Sequence, residues 1–419
     1  MGQTITEKIL SRVIGRSVSA GDIVHPIPEL MTVHDWYVVN FDKALQEFGV
    51  TKLFDPDRVL ISTDHEPLAT TPQSSERQKR VREIVQKYGI KQFYDVGRGG
   101  LGHIFPVEEG IVRPGMFVEA YDVHVTNFGA IGVLGIPLVF EIPEALALGS
   151  VWLRVPETVR VNITGQLSVG TSIRDIAQKL IADLGDALVD YTVVEFGGPG
   201  MLGIDIPGRQ TLCNTPIDIG AKSALVEPDE TTRVYMRERY SGPLDMVVSD
   251  ADARFRSVVH YDMSKIGPQV AIPPTPDNVV AIGEVLGRTI HHAFVGSCAS
   301  GNLPDLRDAA RILAGRQVHP DVRLYVTPAT QNVAKAAAQE GLMEIFYESG
   351  CLMTAPGCGP CAGGRIGALA EGEVSINTGT RNDYGRLVAK KAEIYLASPL
   401  TVAASAVEGK IADPRRYLS

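Results

Sequence analysis

The chain has 419 residues, with 40 Lys+Arg against 49 Asp+Glu, a net charge of −9 and a pI of about 5.6, which excludes a large, diffuse nucleic-acid footprint. With 44% hydrophobic and 21% charged residues and a mean hydropathy of +0.05, it can fill packed cores and is long enough for two or three domains, so disordered, collagen-like and low-complexity classes are excluded. The longest uncharged stretch, residues 125–140, is too short and too interrupted to cross a bilayer, and no apolar leader or Arg-rich amphipathic segment is visible near Met1, so neither a membrane nor an organelle is indicated and a cytoplasmic protein is expected.

In chain order, Thr4 and Glu7 form a capping box that opens a helix through Ile9, Leu10, Val13 and Ile14 to a stop at Gly15. Short β-branched runs predict strands at Arg58–Ser62, Gln92–Val96, Phe117–Tyr121, Thr158–Ile163, Ala293–Gly296 and Arg323–Thr327. Between them, helical spacing predicts helices at Ser74–Tyr88, Ser172–Leu184, Thr275–Val285, Pro304–Gly315 and Thr330–Gly341. This alternation is the texture of α/β layers. A compositional shift near Pro156 and the prolines at 273, 274 and 276 place domain divisions near 157 and 273, giving domains 1–157, 158–272 and 273–419.

Gly97-Arg98-Gly99-Gly100-Leu101-Gly102 satisfies the G-x-G-x-x-G pattern of dinucleotide sites, but His103-Ile104-Phe105 runs into Pro106 and Gly110, leaving no room for the helix such a site must open. The segment reads instead as a glycine loop that brings His103 to a site. Gly197-Gly198-Pro199-Gly200 lacks the Lys-Ser/Thr ending of a phosphate loop and reads as a turn.

Five cysteines, at 213, 298, 351, 358 and 361, are an odd number on a chain without a secretory leader, so structural disulfides are not expected. Cys358-Gly-Pro-Cys361 can turn two thiolates to one side, and Cys298, in Gly-Ser-Cys-Ala-Ser-Gly, can supply a third from another loop, with the helix predicted from Pro304 pointing its positive end toward it. Four readings stay open from spacing alone: a redox pair, a zinc site completed by Cys351, inert buried thiols, and an iron–sulfur cluster whose three thiolates leave one iron open as a Lewis acid.

Acid–base candidates lie in the first third of the chain. Asp64-His65 and Asp122-Val123-His124 each follow a predicted strand, where loop side chains are displayed, and His34-Asp35 and His103 complete the set out of nine histidines in all. An adjacent carboxylate favours the protonated imidazole, which suits a proton donor. Arg381 and Arg386 offer fork-shaped donors for the carboxylates of a small diacid.

Together these residues resemble the aconitase family, and within it the branch of isopropylmalate isomerase large subunits and homoaconitase-like hydro-lyases. The likeness runs from Thr6-Glu7-Lys8-Ile9-Leu10 through Asp64-His65, Gly102-His103, Asp122-x-His124, Ile217-Asp218-x-Gly220-Ala221, Gly296-Ser297-Cys298, Cys358-Gly359-Pro360-Cys361 and Arg381-Asn382-x-x-Gly385-Arg386 to Ala397-Ser398-Pro399. The resemblance implies three α/β/α layered domains around a [4Fe-4S] cluster held by Cys298, Cys358 and Cys361, with one iron not ligated by protein and open to a hydroxy dicarboxylate. It implies His65, supported by Asp64, as proton donor to the leaving hydroxyl, with Asp122, His124, His103, Asp218 and His34 orienting substrate and water, and Arg381 and Arg386 holding a carboxylate. The family's proton-abstracting serine, in a Gly-Ser-Ser-Arg segment on a swivelling fourth domain, has no counterpart here. A separate small subunit is therefore the implied partner, and this chain alone is expected to be inactive.

Four positions depart from the family pattern. Val123 stands where a serine is usual, a change of roughly 1–3 kcal/mol if the lost hydrogen bond was buried. Asp218 replaces a glutamate and draws a carboxylate back by about 1.5 Å. Thr380 replaces an asparagine, and Phe128 occupies a place where smaller or polar groups are common. The main expectation is an isopropylmalate-type dehydratase. The alternatives are a hydratase for another diacid (homocitrate/homoaconitate, dimethylmalate, methylmalate or maleate) and, in another class, a non-catalytic iron–sulfur or zinc-binding protein.

Overall fold

The computed structural model describes residues 2–418. The chain folds as two compact units, Met1–Ile163 with Asp186–Tyr261, and Thr164–Gly185 with Asp262–Ser419. Both are α/β layers built on largely parallel sheets, the expected fold class.

In the first unit a five-stranded sheet is made of β1 (Leu30–His34), β2 (Val59–Ser62), β3 (Gln92–Tyr94), β4 (Phe117–Ala120) and β5 (Leu134–Pro137), in the order β3-β2-β1-β4-β5 and parallel throughout. β1, β2, β4 and β5 are buried along their whole length, which is why they read as nearly unbroken apolar runs. The chain fills one side of β1 with β2 and β3, then crosses to the other with β4. The loops leaving β1 and β4 therefore diverge, opening a crevice at the carboxyl ends of the strands.

Helix Pro72–Tyr88 starts at a Thr71–Ser74 capping box and buries Val81, Ile84, Val85 and Tyr88, the i, i+3, i+4, i+7 stripe, against Val38, Phe41 and Leu45 of helix Asp35–Glu47. Each of these side chains is worth about 1.5–3 kcal/mol of burial. The first helix, Ile5–Ile14, has the expected Thr4–Glu7 box and a left-handed Gly15 stop. A second sheet, in the order β8-β7-β6-β9, comprises β6 (Glu157–Thr164), β7 (Thr192–Gly197), β8 (Ser223–Val226) and β9 (Ser257–Asp262). Ser223 Oγ of β8 donates to Gly135 O of β5 at 2.6 Å.

The second unit is organised on a seven-stranded sheet: β10 (Gln269–Ala271), β11 (Val279–Ala281), β12 (His292–Val295), β13 (Arg323–Val326), β14 (Leu352–Met353), β15 (Val374–Asn377) and β16 (Glu393–Ala397), ordered β11-β10-β16-β15-β12-β13-β14. The predicted helices Ser172–Leu184, Pro304–Gly315 and Thr330–Gly341 are found as Ile173–Leu184, Leu303–Leu313 and Gln331–Gln339. Gly341, with φ 76°, stops one helix and starts the next, Leu342–Glu348.

The helix expected over Thr275–Val285 does not form. Residues 279–281 are β11, antiparallel to β10 with Val270 opposite Val280, and only a 3-10 turn, Ile282–Glu284, follows. The prolines make the bend of a hairpin here, and the β-branched pair Val279-Val280 prefers the strand once a partner lies alongside. The segment after His103 does hold one helical turn, Phe105–Glu108, too short to present a phosphate-binding end. Phe128 is wholly buried in the hydrophobic core and is a packing residue. Cys213 and Cys351 are likewise buried. Burial pushes the thiol of Cys351, set among core residues of the second unit, up to about 12, and raises that of Cys213 as well.

Candidate active site

In the first unit the carboxyl ends of β1, β2 and β4 bring together His34, Asp64-His65 and Asp122, and the glycine loop after β3 adds His103. His65 sits between two carboxylates: Nδ1 lies 2.8 Å from Asp64 Oδ1, and Nε2 lies 3.5 Å from Asp122 Oδ2. Asp122 also faces His103 Nδ1 at 3.7 Å and His124 Nδ1 at 3.4 Å. On its other side His124 Nε2 is 3.7 Å from Asp218 Oδ2, so the shorter carboxylate at 218 still reaches the cluster. His34 stacks on His65 with ring centroids 3.7 Å apart, and Tyr121 and Trp36 edge against this pair.

The local chain explains the placement. Asp122 caps the 3-10 turn Val123–Ile131 by accepting from His124 N at 2.8 Å, which fixes the carboxylate and imidazole as one unit and places Val123 at the start of the turn. Asp64 Oδ2 accepts from Gly102 N at 2.7 Å and faces Ser62 Oγ at 3.2 Å. A Cβ at Gly102 would lie 2.3 Å from Ser62 Oγ, so a larger residue there would have to displace that buried hydroxyl. Glu66 is held by an ion pair with Arg77 and by Gln78 Nε2 on its carbonyl at 2.9 Å.

Burial raises the cost of charge on both aspartates, yet His65 holds Asp64 below its ordinary range, and His103, His124 and His65 hold Asp122 well below it. Both are ionised at neutral pH. Burial and the neighbouring His65 push His34 down to about 3, so it is a neutral ring. Asp35 is pushed up to about 6 by burial and by Asp64. The cluster thus pairs fixed negative charge with imidazoles that can carry a proton, the equipment of general acid–base chemistry.

In the second unit Cys298 lies on a four-residue helical turn, Ser297–Ser300, just past β12, and Cys358 and Cys361 bracket a 3-10 turn in the loop after β14. Cys298 is 4% and Cys358 8% exposed, and Cys361 is half-buried; none is in a disulfide. Both loops dock on the segment after β13: Ala329 N donates to Gly301 O at 2.8 Å and Gly357 N to Pro328 O at 3.2 Å. Both also meet the segment after β15. Thr378 Oγ1 accepts from Gly296 N at 2.9 Å, Ser297 Oγ donates to Thr378 O at 2.9 Å, and a Cβ at Gly379 would be 3.6 Å from Cys361 Sγ.

The helix that begins at Leu303 has its own Asn302–Asp305 capping box at its start. Arg386 Nη2 stands 3.9 Å from Cys361 Sγ. Arg381 is 43% exposed and forks onto Asp383 at 3.1 Å, while Thr380 is buried beside it. A further cation, the fully buried Arg174, donates from Nη2 to Gly379 O at 2.6 Å and braces this segment. Arg174, Thr378 and the Arg77–Glu66 pair had no motif to betray them. Asp35 was visible only as a neighbour of His34.

The profile of the Aconitase family (aconitate hydratase) matches residues 50–289 and 283–409. The chain is 41% identical to 3-isopropylmalate dehydratase large subunit 1 of Methanopyrus kandleri over 419 residues, covering 100% of both, and 39% identical to the 3-isopropylmalate dehydratase large subunit of Aquifex aeolicus over 99% of this chain and 97% of that one. A crystal structure of Thermococcus kodakaraensis aconitase X (holo-form) aligns over 91% of this chain and 89% of that one with a TM-score of 0.48 and 13% identity, too remote to carry an argument. On the profile match and on identity along its whole length, this chain belongs to the aconitase family.

Proposed function

We propose that this chain is the large, cluster-bearing subunit of a cytoplasmic hydro-lyase that removes water from a hydroxy dicarboxylate and returns it at the neighbouring carbon, with 3-isopropylmalate as substrate. The observation that carries this reading is the His65 ring held between the ionised carboxylates of Asp64 and Asp122.

The thiol loops suit a [4Fe-4S] cluster: three cysteines outside any disulfide stand on two loops that dock on the same segments, with a guanidinium facing one sulfur. Cys298, Cys358 and Cys361 would hold the cluster, which when bound supplies an open Lewis-acid iron for a poor leaving group. Flanked by two carboxylates, a protonated His65 is stabilised by both and gives its proton to the departing hydroxyl. Asp64 keeps the ring oriented. Asp122 and Asp218 hold His103 and His124 in place, so that these rings orient the substrate and the water that returns. The neutral His34 packs flat on His65 and limits its rotation. Arg386 and Arg381 take the substrate carboxylates, Arg381 by exchanging Asp383 for the ligand, with Thr380 and Val123 as neighbouring walls. The base that removes the carbon-bound proton comes from a small subunit carrying the swivelling domain.

The test is anaerobic purification with iron, sulfide and zinc quantitation, followed by an assay of the chain with and without its small subunit. Absorbance near roughly 400 nm with about four irons, and formation of the unsaturated diacid only when both subunits are present, are expected. A colourless protein with stoichiometric zinc would overturn the reading.

A further inference from the structure

We infer that Asp35 is a positioning residue for the acid–base site: its buried carboxylate grips the main chain of Asp64, His65 and Glu66 and so fixes the point from which the His65 ring works. The inference rests on the proposed role of His65. Asp35 is 1% exposed and is the first residue of helix Asp35–Glu47, directly after β1. Its Oδ1 accepts from Asp64 N at 3.4 Å and His65 N at 3.1 Å, and its Oδ2 accepts from Glu66 N at 3.1 Å.

The sheet explains why these amides need such a partner. The pairing of β2 with β3 continues as far as Thr63, whose N donates to Tyr94 O at 3.0 Å, and from Asp64 onward the chain leaves the sheet. Three successive amides then lose their strand neighbour inside the protein, where an unpaired N–H is costly. One carboxylate on the adjacent strand's helix takes all three. The side chains at 64 and 66 have their own anchors, Gly102 N and Arg77. A small shift of the loop would move the His65 ring away from Asp64 and Asp122, and proton transfer is sensitive to displacements well under 1 Å.

Asp42 supplies the control. It lies seven residues further along the same helix, is 3% exposed, and accepts from Lys87 Nζ at 2.6 Å, Tyr88 Oη at 3.0 Å and Gln46 Nε2 at 2.7 Å, with no hydrogen bond to residues 64–66. Asp35→Asn keeps one acceptor but sets an amide donor against Glu66 N–H. In the two-subunit holoenzyme it should lower kcat about 10- to 100-fold with KM within about twofold. Asp42→Asn should lower Tm and leave kcat unchanged.

A second readout does not depend on turnover: in the full-length chain labelled with 15N-histidine, the His65 ring resonances, assigned with His65→Gln, should move in Asp35→Asn and stay in place in Asp42→Asn. Unchanged kcat with unmoved His65 resonances in folded Asp35→Asn would overturn the inference, as would equal losses of kcat in both variants. If Asp35→Asn does not fold, Asp35→Glu keeps both acceptors but displaces them by a methylene; wild-type kcat in that variant would also overturn it. A wild-type enzyme inactive on hydroxy diacids would sink the proposed function, while the resonance experiment would still decide the role of Asp35.

Discussion

The acid–base cluster of the first unit and the thiol loops of the second follow one plan, side chains on loops at the carboxyl ends of parallel strands, but they satisfy their functional atoms differently. Around His65 the side chains hold one another: His65, His103 and His124 each face a carboxylate, Asp122 serves all three, and His34 stacks on His65. Around Cys298 the main chain is held by Thr378, Ser297 and Ala329, and Arg386 Nη2 faces Cys361 Sγ. One region is organised by its own side chains. The other is framed by hydrogen bonds that each involve the main chain, two of them closed by the Thr378 and Ser297 hydroxyls.

The largest effect that would break this contrast is at sulfur. Cys298→Ala should abolish the visible absorbance and reduce activity by more than about 10³-fold, while hydrogen exchange in residues 59–66 and 117–124 stays as in wild type. Loss of protection there would show that the acid–base cluster depends on Cys298. Next is His65→Asn, expected to lower kcat about 10²- to 10⁴-fold with iron content unchanged; a loss of iron would remove the separation between the two regions.

The smallest effect compares two acids on one stretch of chain. Asp122 is kept ionised by imidazoles, whereas Glu119, three residues earlier on β4, is buried and pushed up to about 8, with Lys222 only partly opposing the burial. Because its folded value lies above its ordinary 4.5, Glu119 contributes its full stability at acid pH and loses it as pH rises through about 8. Glu119→Gln should therefore match wild type in unfolding free energy near pH 4 and exceed it by several kcal/mol near pH 9, as read by denaturant unfolding at each pH.

Much of this was legible before folding because it is local. Thr4, Glu7 and Gly15 write a helix into ten residues, and the β-branched runs at 59–62, 117–120 and 323–326 need only burial to become strands. Asp64-His65 and Asp122-Val123-His124 were readable as loop displays, although that both should face one ring follows from strand order, which no spacing reveals. Asp35 was hidden for the same reason: its amides lie some thirty residues away. Residues 275–285 misled because the choice between helix and strand there is made by the neighbouring β10.

Asp122 shared among His65, His103 and His124, with Asp64 and Asp218 at the ends of the chain of contacts, ties the three rings into one electrostatic unit. The positive field that holds Asp122 ionised against its burial is the sum of all three rings. Removing any one ring therefore weakens the hold on the shared carboxylate and, through it, disturbs the other two.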